Sequence, residues 1–594
     1  MSKTIRISVL VALLCATAGV SLGMQIFRMQ ECRAPVMAES HNRPDRHDRQ
    51  NHVTLAPSLG GDDTDQIQQA FETVKAAGPG GTVELAAGTF TISRPVAVAD
   101  FDGTFKGAGK DQTIVQNKVV LGGYFPAPPE PLPAFPSLFA FYSTTEQARG
   151  GSADNPVNLV ISDMTLKEIG RAESWAFENG DSWIPANTFN DFVLVMGRNV
   201  AGTNEGLPGF ANVTWKRMGL IGELDESIGQ DSMNAMLGLD IWGWLKSTRN
   251  RNADGTGWII SPETMGEMGD DTQSLTGNFT VNDSTFEKVG ESFAVNSVDN
   301  SDITFKNSII SDVVFMGADF ESVKSTLRPS TIDVSNVKIV NPDPHSPASP
   351  IDPANIGYDA IYFGNISGAN VNVTNLDTTN ISGILMDQWD SAVVTAPSSF
   401  VFADNTIRGR PESEWAGFEL WDFINIDTGR KTADVIVDKN NITSINTSED
   451  WWGYYDAILV GGISDGIMSN NNISGKGRMA ITIGLEDEEV DGWMLIKNDT
   501  KKFAASLTPI YLGPGTSNFT VVPGDKEEVV TDLGTGNKIV GANVSKKEVK
   551  PAVKEALEVV KQAVKSAKRM EKMGRGKGRM GNGKFGSRSG LLEQ

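Results

Sequence analysis

Residues 60–109 read GGDDTDQIQQAFETVKAAGPGGTVELAAGTFTISRPVAVADFDGTFKGAG, and their periodicity changes once. Ile67, Phe71 and Val74 recur at helical spacing behind Asp63 or Thr64, either of which can cap a helix, and Gly78-Pro79 ends it. From Gly80 the period is two. Val83 with Leu85, Phe90 with Ile92, and Val96 with Val98 alternate with polar or small residues, while Gly80, Gly81, Gly88 and Pro95 mark turns. A short helix feeding a series of strands is expected.

Further along, one phrase returns: an Asn or Asp, a few alternating residues, a polar turn and another apolar strand. NLVISDMTL, NVTWKRMGL, NFTVNDSTF and DITFKNSII are early instances, and NVNVTNLDT, FVFADNTIR and VIVDKNNIT are later ones. Between them lies a second apolar strand. Taking Phe293, Phe315, Ile361, Ile384, Phe418, Ile458, Ile481 and Ile510 as equivalent gives steps of 22, 46, 23, 34, 40, 23 and 29 residues. The basal step of 22–23 residues fits one coil of a stacked solenoid, with longer steps carrying loops or a missed coil. Phe139–Tyr142, Phe192–Met196 and Met236–Leu239 are the corresponding early strands. They are separated by long segments bearing Trp175, Trp183, Trp242, Trp244 and Trp258.

The opening pieces Asp62-Asp63-Thr64, Ile67-Gln68, Gly80 to Leu85, Gly88-Thr89-Phe90 and Gly107-Ala108-Gly109 resemble the start of the pectate-lyase-like superfamily. The resemblance implies an all-β chain folded as a right-handed parallel β-helix, with a helix capping its N-terminal end. Members include lyases, glycosidases, epimerases, phage tailspikes and non-catalytic surface proteins, so the fold alone does not fix a reaction.

Residues 1–23 place Lys3 and Arg6 before an apolar run that ends in small residues, the layout of an export signal cleaved near Gly23. The competing reading is an uncleaved membrane anchor, since no charge occurs from Ile7 to Phe27. Either way the expected location is secreted or cell-surface, with membrane contact only through an anchor. Residues 24–59 read as a flexible lead, 60–545 as the β-helix and 546–573 as an amphipathic basic helix. Residues 574–594 read as a Gly-rich basic tail. On that helix Val553, Leu557, Val560, Val564 and Ala567 share one face, and an end cap is the expected role.

Charge is divided between these parts. The segment from 51 to 545 holds 31 basic and 65 acidic residues, whereas 546–594 holds fourteen basic and five acidic. Such a body disfavours nucleic acid and suits a polysaccharide, neutral or bridged by cations. With two cysteines, one inside the leader, no disulfide framework is possible, and the four histidines offer no metal or nucleophile pattern. Twelve N-x-S/T triplets follow from Asn turns leading into Ser/Thr strands.

The residues that close the second strand form an acidic column: Asn296, Asp319 with Glu321, Asn365, Asp387 with Asp390, Asp422, Asp465, and Glu486 with Asp487. Tyr362, Leu385, Glu419, Leu459, Thr482 and Tyr511 are the outward alternates within the strands. Trp389 and Trp421 stand beside the central acids, and an aromatic face next to carboxylates suits a sugar ring. Glycosidic hydrolysis needs one protonated and one ionised carboxyl group. The expected catalytic set is Asp390 with Asp422, and Glu419 as alternate partner, with Trp389, Trp421, Tyr362 and Asp387 binding substrate. No cofactor is required, and a calcium reading rests on Asp319, Glu486 and Asp487. A lyase would use Arg408 or Arg410 as base or carboxylate partner. The polygalacturonase N-T-D and G-H-G signatures do not occur. The leading expectation is a carbohydrate-active enzyme, hydrolase or lyase. The opposing one is a surface or adhesive protein that binds polysaccharide without cleaving it.

Overall fold

The structure, a computed structural model, describes residues 51–117, 137–142, 151–152, 155–169, 191–196, 209–222, 237–242, 250–251, 258–259, 275–313, 316–341, 359–409, 417–445, 456–484, 488–524 and 528–576. Short strands stack in parallel into three ladders. The first runs from His52–Leu55 to Lys538–Ile539, the second from Gly88–Ile92 to the first half of Asp499–Leu512, and the third from Val96–Ala99 to Val530–Asp532. The second and third merge where Asn472–Ile483 and Asp499–Leu512 run through both. Each coil contributes one strand to each ladder, and parallel strands joined by crossovers wind right-handed. The chain is a right-handed parallel β-helix.

A representative coil shows why the sequence repeats as it does. Ala433–Asp438 lies in the first ladder, Asn441–Ile445 in the second and Ile458–Gly461 in the third. Between the first two strands sit two residues. Lys439 has φ of 56°, and its counterparts Asp283, Asn307, Asn336, Asn375, Asp404 and Asn470 are likewise left-handed. Asn and Asp tolerate that conformation best among residues with a side chain, which accounts for the recurring polar turn. The turn costs no ladder bonds, because the N–H of Lys439 donates to Ser469 O and that of Asn470 to Ile496 O.

The second corner residue points inward. Asn405, Asn440, Asn471 and Asn498 are buried and form a vertical ladder of their own. Asn405 N–H donates to Asn440 Oδ1 at 3.0 Å, Asn440 N–H to Asn471 Oδ1 at 2.9 Å, and Asn471 N–H to Asn498 Oδ1 at 3.2 Å. Each amide group donates in turn to a strand carbonyl one coil back: Asn440 Nδ2 to Phe402 O at 3.0 Å, and Asn471 Nδ2 to Val437 O at 2.9 Å. The side chains satisfy backbone groups that a corner would otherwise leave buried without partners.

Inside the coils, every second strand residue joins one continuous core. Its aromatic spine includes Phe305, Phe293, Phe320, Phe363, Phe402 and Phe418, with ring centroids 5.4–6.2 Å apart. The N-terminal end is closed by helix α1, Thr64–Ala77, whose Ile67, Ala70, Phe71 and Val74 are buried. Phe71 meets Phe101 edge-on at 5.0 Å and plugs the core. Asp63 does not cap this helix with its side chain. It accepts from the N–H groups of Ser58 and Thr91 instead, both at 2.8 Å, and so ties the lead strand and the next coil to the cap.

The inward column of the third ladder is Phe139, Val193, Leu239, Phe293, Ala318, Ile361, Ile384, Phe418, Ile458, Ile481 and Ile510. It matches the sequence-derived register except at one coil. The expected Phe315 lies outside the described residues, and Ala318 of the strand Met316–Glu321 takes its place. That strand pairs directly with Asp359–Gly364, so the long step holds an insertion and no missed coil.

The second helix, α2, is the short Phe423–Thr428. The third, α3, is Lys546–Gly576. Ser545 and Glu548 form a capping box, with the Ser545 N–H and Oγ each 2.6 Å from Glu548 Oε2. The helix does not stay at the open end. It runs back along the flank of the first ladder, meeting strands from Met494–Ile496 to Thr331–Ser335, with Val560, Val564 and Ala567 packed on Val401 and Ala403. No helix among the described residues is long and apolar enough to cross a membrane.

Candidate functional site

The outer face of the third ladder carries two adjacent columns. Asp319, Tyr362, Leu385, Glu419, Leu459, Thr482 and Tyr511 form one, and Asn296, Glu321, Gly364, Asp387, Trp421 and Gly461 the other. Because strand side chains alternate, both columns point away from the core on the same side. Asp319, Glu321, Tyr362, Asp387, Glu419 and Trp421 therefore meet on three to four neighbouring coils.

Tyr362 sits at the centre. A Cβ on Gly364 would lie 2.8 Å from the Tyr362 hydroxyl and 2.9 Å from Glu321 Cγ, so the phenol ring lies across this glycine. Without a side chain there, the gap between Glu321 and Asp387 is filled by the Tyr362 ring. Burial, and then the charges of Asp387, Glu321 and Asp319, raise the phenol well above its ordinary pKa. It is a fixed neutral donor. Glu321 is also raised, by burial, against the opposing hydrogen bond from Asn296 Nδ2 at 2.9 Å. Glu321 and Asp387 stand two rungs apart, about 9.6 Å at the backbone.

Next to this gap, Asp359 is 4% exposed and its carboxyl is raised well above the usual range, by burial first and then by the charges of Glu419 and Asp387. Burial disfavours the ionised form and neighbouring carboxylates add to it. The sign of the pH dependence follows. The unfolded aspartate ionises near pH 3.9 and the folded one only at higher pH, so the native state loses stability as pH rises from the first value toward the second. Asp359→Asn should therefore raise the melting temperature at neutral pH, and the gain should fade as the pH falls below about 4. Thermal unfolding of both proteins across that range is the check; a gain that grows on acidification would contradict the assignment.

The aromatic wall is built by Trp421. Its indole N–H donates to Glu419 Oε1 at 2.8 Å, its ring stacks on Phe423 at 5.1 Å, and it lies so close over Gly461 that a Cβ there would be 2.0 Å from Cζ3. Trp389 is more open, at 36% exposure, and its backbone N–H is held by Asn365 Oδ1 at 3.1 Å.

Two of the expected catalytic acids have other duties. Asp422 is fully buried and caps α2, accepting from Asn425 N–H at 2.9 Å through Oδ1 and from Thr432 N–H at 2.9 Å through Oδ2. Asp390 N–H donates to Asn365 Oδ1 at 2.8 Å, and its own Oδ1 accepts from Ala392 N–H at 2.8 Å, which makes it a turn former. Asp390 lies past the strand Ile384–Gln388, and Asp422 is the last residue of the strand Phe418–Asp422, in neither outward column. Asn365 and Asp465 are left-handed turn residues, and Asp465 pairs with Lys431 at 3.3 Å. Glu486, Asp487 and Arg410 lie outside the described residues, as do Trp175, Trp183 and Trp244. Arg408 pairs with Asp377 on the second ladder, on a different side from the acidic columns. Among the described residues no group of three or more His, Cys, Asp or Glu is arranged to hold a metal ion.

Sequence reasoning assigned no role to Asp359, although it opens the strand Asp359–Gly364, whose Ile361 anchors the register. It also placed Glu321 in the column without selecting it. The signal available for Asp359 was an acid at the start of an otherwise apolar strand.

Farther along the same face a buried ion pair closes the lane. Arg478 Nε and Nη2 donate to Asp456 at 3.0 and 2.6 Å, and Thr482 Oγ1 adds a third bond at 2.6 Å.

No protein-family model matches the chain, and no curated protein matches it in sequence. Solved structures do. They include the A-module of the Azotobacter vinelandii mannuronan C-5 epimerase AlgE6, at 12% identity over 82% of this chain and 96% of that one, with a TM-score of 0.38. The DFA-IIIase of Arthrobacter chlorophenolicus A6 is 11% identical over 84% and 100%, with a TM-score of 0.41. PfbA, a surface adhesin of Streptococcus pneumoniae, is 11% identical over 83% and 93%, with a TM-score of 0.37.

Proposed function

We propose that this chain engages a polysaccharide along the outer face of the third ladder and cleaves it as a glycoside hydrolase. The observation that carries this reading is the pair Glu321 and Asp387 on either side of Gly364, with the Tyr362 ring lying across that glycine. A carboxyl group kept protonated by burial can assist a leaving oxygen, and an ionised partner can activate water. In this reading Glu321 is the acid and Asp387 the base. Their two-rung placement lets the carboxyl groups approach the roughly 6.5–9.5 Å separation that favours inversion. Trp389, at the open edge of this face, supplies an apolar surface for a sugar ring, and the buried Trp421, held by Glu419, backs the wall behind the acids. Tyr362 donates to a substrate oxygen. The lyase reading is less well supported, because Arg408, one of the two arginines it named, is committed to Asp377 on another side. The composition of residues 1–23 supports export, to the medium or the cell surface.

A panel of neutral and acidic polysaccharides tests the proposal, scored for new reducing ends and for the ultraviolet absorbance of unsaturated ends. Reducing ends without unsaturation are expected. Unsaturated products would replace hydrolysis with elimination, and measurable binding with no cleavage would leave a binding protein.

A further inference from the structure

The turn that follows the strand Ile384–Gln388 carries Trp389, and two neighbouring coils hold it. Toward the preceding coil, Asn365 Oδ1 accepts from the N–H groups of Trp389 and Asp390 at 3.1 and 2.8 Å. Gln388 brackets Ile366, accepting from its N–H at 2.8 Å and donating to its carbonyl at 2.7 Å, and Ser367 Oγ accepts from Thr395 N–H at 2.9 Å. Asn365, Gln388 and Ser367 are buried, so water does not compete for these bonds.

The following coil reaches the same turn with Arg430. Its Nη2 donates to Ser391 O at 3.3 Å and to Val394 O at 2.5 Å, and no other donor among the described residues reaches either carbonyl. Arg430 is exposed and makes no ion pair among the described residues, although residues 51–545 are rich in carboxylates. Its guanidinium is committed to backbone oxygens instead. The place of Arg430 is itself fixed: Gly429 turns the chain with φ of 70°, Arg430 N–H donates to Thr428 Oγ1 at 3.2 Å, and the buried Asp422 holds the N–H groups of Asn425 and Thr432 on either side.

We infer that Arg430 is a positioning residue for polysaccharide binding: it ties the turn 389–394 to the next coil and so fixes the Trp389 ring as a platform for a sugar. The inference rests on the reading of this face as a polysaccharide lane. Trp389 is the open ring of the face, at 36% exposure, and the backbone that bears it lies outside any strand. A ring on a loose turn would be ordered only by the substrate, and that ordering weakens binding; a turn held from both coils is ordered beforehand. Glu321 and Asp387 sit within strands, so loss of Arg430 leaves them in place and falls on substrate affinity.

The test uses the full chain with Arg430→Gln, which removes both bonds, Arg430→Lys, Trp389→Ala and the pair Arg430→Gln/Trp389→Ala. In protein labelled with 5-fluorotryptophan, the fluorine resonance missing from Trp389→Ala belongs to Trp389. That resonance should shift or broaden in Arg430→Gln while thermal unfolding stays unchanged. On the polysaccharide that the panel selects, Arg430→Gln should raise KM, or the dissociation constant, about three- to tenfold with kcat retained. Arg430→Lys, which keeps a donor, should recover part of the loss. The paired variant should bind no worse than Trp389→Ala alone. Additive effects would mean that Arg430 touches the substrate itself and would overturn the inference, as would an unmoved resonance or an unchanged affinity in Arg430→Gln. Binding without cleavage that still depends on both residues sinks the hydrolase reading and keeps this one. Cleavage indifferent to Trp389 does the reverse, and failure of the wild-type chain to bind any polysaccharide overturns both.

Discussion

Asn440→Ala will lower the free energy of unfolding by about 2–5 kcal/mol, since each buried group left without its partner costs about 1–3 kcal/mol. Alanine removes the acceptor of the Asn405 N–H and the donor to Phe402 O, and both groups stay inside the corner. Water does not reach them, because Asn405, Asn440 and Asn471 are at most 1% exposed. The control is the neighbouring Asn472, which is exposed and bonds only to the Asn441 side chain at 3.3 Å, apart from its place in the strand ladder. Asn472→Ala should change stability by no more than about 0.5 kcal/mol. Denaturant unfolding followed by tryptophan fluorescence compares the two. Equal effects would mean that the corner amides are dispensable filler.

The second expectation concerns activity. Glu321→Gln and Asp387→Asn should each reduce polysaccharide cleavage by roughly 10²–10⁴-fold, the usual contribution of a positioned acid or base. Neither should abolish substrate binding, since the aromatic surfaces remain. Asp390→Asn and Asp422→Asn should behave in the opposite way. Asp422→Asn leaves the Thr432 or the Asn425 N–H without its carboxylate acceptor and should lower the melting temperature while cleavage persists. Asp390→Asn keeps an oxygen for the Ala392 N–H and should alter neither property greatly. Initial rates and melting curves on the four variants suffice. Loss of cleavage in Asp422→Asn without loss of stability would return the chemistry to the far end of that strand.

The difference between these pairs shows what was legible in the sequence. Stacked coils leave a strong trace because each must turn three corners, and left-handed turns select Asn and Asp at regular distance. Inward positions are apolar with few exceptions, so most of the third ladder could be registered from Ile361 to Ile510 by alternation alone. The slip at Phe315 has a specific cause. VVFM is the more apolar run, yet the strand is Met316–Glu321, whose residue in the registered column is the alanine Ala318. Periodicity follows hydrophobicity, and here a small residue occupies the core side.

Direction at the strand ends was harder to read. Asp422 continues the strand in sequence, and a polar residue after Trp421 looks like another outward acid. Three residues later Asn425 supplies the N–H that it caps, and Gly429 ends the helical turn in a left-handed conformation. That D-x-x-N pattern followed by glycine was the available warning. Asp359 was invisible for a different reason. Nothing local distinguishes a carboxyl that will be buried against two other acids from one that will face water, because Glu419 lies sixty residues away along the chain and two coils up the ladder.

The flank position of α3 has a consequence for how the solenoid comes apart. Coils in a β-helix hold only their neighbours, so an end can peel one turn at a time. A rigid rod laid across the strands, from Met494–Ile496 back to Thr331–Ser335, touches many turns at once. Loosening one of them then strains a helix that the others still grip. Within that span, local opening is converted into a concerted event, and the last coils should resist proteases as a block until the rod itself detaches.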